Sequence, residues 1–105
     1  GFPFVDLANG GTVQGYLNNL EKALSWIGDD VAVIPGHGPL AAKGDLLNFY
    51  NVVKDTSTAI RVMKSQRMTK EEIVAEGLGD DYESWGQGFI NEQRWIETVF
   101  DSYPR

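Results

Sequence analysis

One short run of β-branched residues stands alone among helical periodicities, and it limits what this chain can fold into. Val31-Ala32-Val33-Ile34 is apolar throughout and reads as a buried strand. Pro35 cannot donate to a sheet ladder, so the strand should end there. A lone strand leaves its backbone donors and acceptors without partners. Either the N-terminal segment pairs with it, or something outside residues 1–105 does.

The rest of the chain reads as about four helices. Thr12 is placed to cap the first. Val13, Tyr16, Leu17, Leu20, Leu24 and Ile27 then fall at helical spacing, and Gly28 sits where a glycine C-cap belongs. Asp45 can cap or open a long helix reaching roughly to Gln66, with Leu46, Leu47, Tyr50, Val53, Ile60 and Met63 as its apolar positions. Thr56-Ser57-Thr58 interrupts that stripe with hydroxyls that can bond back to the preceding turn and bend the helix. Thr69-Lys70-Glu71-Glu72 is a capping box, flanked by Met68 and Ile73 at staple positions, and this short helix should stop at Gly77. Asp80 to Gly88 reads as a loop anchored by Tyr82 and Trp85. Asn91 caps a last helix, with Ile90 and Trp95 as its staple, whose apolar face ends at Tyr103 before Pro104. Ahead of all these, Phe2-Pro3-Phe4-Val5-Asp6-Leu7 reads as an extended or edge segment packing aromatic rings, closed by a Gly10-Gly11 turn.

Composition narrows the classes. At 105 residues, 42% hydrophobic and 23% charged, the chain suits one soluble globular domain, 1–105, with no internal repeat or interdomain linker. No run approaches a membrane span and no signal peptide opens the chain, so no membrane partner and a cytoplasmic location are expected. A net charge of -6 argues against binding a phosphate backbone, so no nucleic-acid partner is expected. Without cysteine there is no disulfide and no thiolate metal site.

The strand leads into Pro35-Gly36-His37-Gly38-Pro39, which holds the only histidine. Gly36 and Gly38 permit backbone conformations and close approaches that a Cβ would block, and a side chain on such a turn is well aimed at a ligand. A strand, Pro-Gly-His-Gly-Pro and a long helix resemble the last metal-ligand motif of the metallo-β-lactamase-fold hydrolases. The likeness extends along nearly the whole chain. Phe2-Pro3-Phe4-Val5-Asp6, the Gly10-Gly11 turn and the helix after it resemble the segment following the family's bridging aspartate. Trp85-Gly86-Gln87-Gly88-Phe89-Ile90 and Arg94-Trp95-Ile96 are similar to the C-terminal signature of one hydrolase subgroup.

The resemblance implies the C-terminal part of such a hydrolase. The expected fold class is therefore α/β: a partial αβ/βα sandwich, predominantly helical, with about four helices and few strands. It implies that His37 ligates the second metal of a dinuclear, usually zinc, site, with Pro35, Gly36 and Gly38 supporting the turn. By analogy Asp6 lies near the metal cleft, although a solvated or capping role suits an aspartate there as well. The family's His-x-His-x-Asp-His motif, its further histidine and its bridging aspartate are absent from this sequence. A catalytic zinc generally needs three protein ligands and an open position. One histidine and no cysteine cannot build the dinuclear site, so no zinc and no hydrolysis are expected of this chain alone.

Three uses of the residues stay open. The chain can be a truncated or split part whose His37 completes a site with a complementing N-terminal half. It can form a homodimer through surfaces that such a half would cover, the expected physical consequence of truncation. It can be a non-catalytic α-rich binding or structural module. The pairs Asp29-Asp30 and Asp80-Asp81 lack calcium-loop spacing, and Gly86-Gln87-Gly88 lacks the context of a phosphate loop. Ser57, Ser65, Ser84 and Ser102 lack a nucleophile-elbow pattern.

Overall fold

The computed structural model describes residues 1–26 and 43–104. Val31–Ile34, the turn around His37, the Gly28 cap, the end of the first apolar stripe at Ile27 and the Asp29-Asp30 pair lie outside the described residues. The described elements are helical: a 3-10 turn Leu7–Asn9, α1 (Val13–Trp26), α2 (Lys43–Ser65), α3 (Lys70–Glu76), a 3-10 helix Asp80–Gln87 and α4 (Glu92–Ser102).

This corrects the expected fold class. Among the described residues there is no strand and no αβ/βα sandwich, and the one β-type pairing is an isolated antiparallel bridge between Phe2 and Ile90. The N-terminal segment is extended only briefly. Asp6 then caps the 3-10 turn, Gly10 at φ 91° closes it, and the Gly11 N–H donates back to the Asp6 carbonyl at 2.8 Å. A Cβ on Gly11 would stand 2.8 Å from that carbonyl, so the turn requires glycine there. Helices satisfy their own backbone groups, so the described body needs no sheet to close a core.

The helix starts follow local chemistry. The Thr12 hydroxyl accepts the Gly15 N–H at 2.9 Å, Thr69 and Glu72 complete a reciprocal capping box, and the Asn91 side chain accepts the Arg94 N–H at 2.8 Å. Gly77 ends α3, with φ 75° and its N–H on the Ile73 carbonyl. The end of α2 has a different origin. The Met68 N–H reaches the Met63 carbonyl at 3.2 Å and the Arg67 N–H reaches Lys64 at 3.0 Å, the two bonds of a Schellman motif. The left-handed position of that motif is occupied by Arg67, at φ 68°.

The expected loop over 80–88 is also corrected, because most of it is the 3-10 helix Asp80–Gln87. Side chains three apart eclipse in such a helix, which turns Tyr82 and Trp85 together onto the core. Trp95 is fully buried where the elements meet. Phe2 stacks on its indole at 5.7 Å and 11°, and Phe49 stacks on Trp85 at 5.8 Å. α2 packs against α1, α3 and α4, and α4 touches α1, α3 and the 3-10 helix as well. Val53, Ile60, Ile73, Ile96 and Val99 fill the space between them. Leu47, expected on the apolar face of α2, is instead 46% exposed, while Val52 takes a buried place.

Candidate functional site

The residues singled out for chemistry divide into two sets. His37, with Pro35, Gly36 and Gly38, lies outside the described residues. The two helices that flank this segment are described and pack on each other. Tyr16 of α1 meets Phe49 of α2 edge-on at 6.2 Å, and the Tyr50 hydroxyl donates to Glu21 at 2.5 Å. That hydrogen bond, with a smaller contribution from burial, raises the Tyr50 pKa, because deprotonation would set phenolate against carboxylate.

Asp6 is the one described residue of the proposed site. Its carboxylate accepts the Asn9 side-chain amide at 2.7 Å and the Asn9 backbone N–H at 3.3 Å. This is the capping role that its sequence position also allowed. Asp6 is among the residues lining an open hollow of about 370 Å³ between the Gly10-Gly11 turn and the first turns of α1, with Phe4, Thr12 and Tyr16 around it. Burial raises the Tyr16 pKa, so its phenol stays protonated past the usual range. The one acidic residue lining the hollow, Asp6, is already bonded to Asn9.

Asp80 and Asp81 are exposed and begin the 3-10 helix, where they face its positive end. Asp80 lies with Glu76, Glu83 and Glu92 around a second hollow of about 550 Å³. Glu92 is committed to structure, since its carboxylate accepts the Leu78 N–H at 3.1 Å. Among the described residues, no three His, Cys, Asp or Glu side chains are grouped to hold a metal ion. Three of the four serines considered have structural duties. Ser57 donates to the Val53 carbonyl, Ser65 to Val62 at 2.6 Å, and Ser102 accepts the Val13 N–H at 2.9 Å across the start of α1.

Two buried polar side chains of α2 tie it to α4. Thr56 is fully buried, donates to the Val52 carbonyl at 2.7 Å and accepts the Trp95 indole N–H at 2.9 Å. Lys64 is buried beneath the end of α4, where its ammonium donates to the Phe100 carbonyl and, at 2.6 Å, to that of Tyr103. It also lies over the Phe100 ring at 4.1 Å. No local signal in the sequence marks the bonds to α4, because those partners are distant in the chain.

No helix among the described residues is long and apolar enough to cross a membrane. Compared with protein-family models, curated proteins and solved structures, the chain has no match.

Proposed function

We propose that this chain acts as the C-terminal portion of a metal-dependent hydrolase of the metallo-β-lactamase kind. In this reading His37 is a neutral imidazole ligand to zinc, and the other ligands come from outside residues 1–105. The observation that carries it is Pro35-Gly36-His37-Gly38-Pro39, placed between two helices that pack on each other. Zinc would supply a bound hydroxide for attack on an ester, thioester, lactam or phosphoester. His37 would hold and polarise the metal, with Gly36 and Gly38 giving its ring a close approach. With one histidine and no cysteine the chain cannot supply the family's ligand set, so in this reading it is inactive without its complement.

The test is native mass spectrometry of the chain with zinc, by itself and combined with a polypeptide carrying the His-x-His-x-Asp-His ligands. Zinc should be retained only in the combined sample. His37→Ala should lower that retention while leaving the circular dichroism of the chain unchanged. Equal zinc retention with and without His37 overturns the ligand assignment.

A second reading, a non-catalytic homodimeric module, is favoured by the side chains the helical body leaves bare. Phe89 is 91% exposed and Trp26 81%, and Phe4 and Leu47 are exposed as well. Large apolar groups left in water favour association. Light scattering should then give twice the monomer mass, and native spectra a dimer that ignores zinc. A clean monomer at high concentration rejects this second reading.

A further inference from the structure

We draw no further inference here: the strongest candidate, the acidic hollow between α3, the 3-10 helix and the start of α4, is a cluster of carboxylates at which nothing in the structure points to a ligand.

Discussion

Replacing Thr56 with valine should destabilise the protein through a single orphaned group, the indole N–H of Trp95. Valine keeps the shape and the β-branch of threonine, so packing changes little. Val52 lies within α2, where its carbonyl already serves the helical ladder, so losing the Thr56 hydroxyl leaves no carbonyl stranded. The indole has no such reserve. Trp95 and Thr56 are both fully buried, and the 2.9 Å bond to Thr56 is the hydrogen bond that its N–H makes. A buried donor left unsatisfied costs about 1–3 kcal/mol. For a domain of this size that corresponds to about 4–8 °C of melting temperature per kcal/mol.

The attribution can be isolated with a double-mutant cycle. Trp95→Phe removes the donor and also leaves a cavity, so its own cost is larger and not informative. In that background, however, Thr56→Val orphans nothing and should cost under about 0.5 kcal/mol. The coupling between the two sites should therefore fall at about 1–3 kcal/mol. Urea denaturation followed by far-ultraviolet circular dichroism is the appropriate assay, because changing one of three tryptophans alters fluorescence by itself. If Thr56→Val costs the same in both backgrounds, the indole bond contributes nothing and the reasoning fails.

Other expectations follow from the caps and the titrating groups. Arg67→Gly should stabilise the protein by up to about 1 kcal/mol, since glycine takes the left-handed position without the Cβ clash; a loss in denaturation midpoint would contradict the Schellman assignment. Thr69→Ala should cost about 1 kcal/mol by breaking the capping box, and Thr69→Ser should restore most of it. Lys64→Met keeps the apolar stem but leaves two carbonyls at the end of α4 without their donor, so thermal melting should show a loss of about 1–3 kcal/mol. Stability should also fall as pH rises above 10. Burial raises the pKa values of Tyr16 and Tyr103 above 10.0, the Glu21 hydrogen bond does so for Tyr50, and the hydrogen bond to Asp101 raises Lys70 above 10.5. In that range the folded chain binds more protons than the unfolded one, so the slope of stability with pH is negative. A flat denaturation midpoint from pH 9 to about 11 would refute the sign.

What was legible in the sequence is what adjacent residues decide. Thr12, Thr69 and Asn91 each bond a backbone N–H three residues on, and a hydroxyl or amide ahead of an apolar stripe suffices to announce that. The hydroxyls of Thr56 and Ser57 do bond back along α2, as their positions suggested. The end of α2 was legible in place but not in mechanism, because an arginine fills a position that glycine usually marks. The 3-10 helix escaped because Gly and Asp mark turns, while the spacing of Tyr82 and Trp85 becomes meaningful only with a period of three. The fold class rested on a resemblance carried by short motifs, and the described residues form helices without a strand. Among the described residues, Phe2 of the N-terminal segment stacks on Trp95 and makes a single bridge to Ile90, contacts that no adjacent residues announce.

The same division separates structure from chemistry in the site. Lys64, in the last turn of α2, has the position of a cation serving its own helix end, yet its ammonium serves the carbonyls of α4. Thr56 reads as a weak helix former, yet it answers an indole on α4. Asp6, offered as a cleft residue, spends its carboxylate on Asn9. Among the described residues, no buried side-chain nitrogen or oxygen lacks a partner. A polar group already satisfied inside the fold has to break a bond before it can meet a substrate or a metal. The proposed chemistry therefore rests on His37, in the sequence between Trp26 and Lys43. A substitution at Thr56 or Lys64 should therefore change stability without changing zinc retention in the combined sample, whereas His37→Ala should do the reverse.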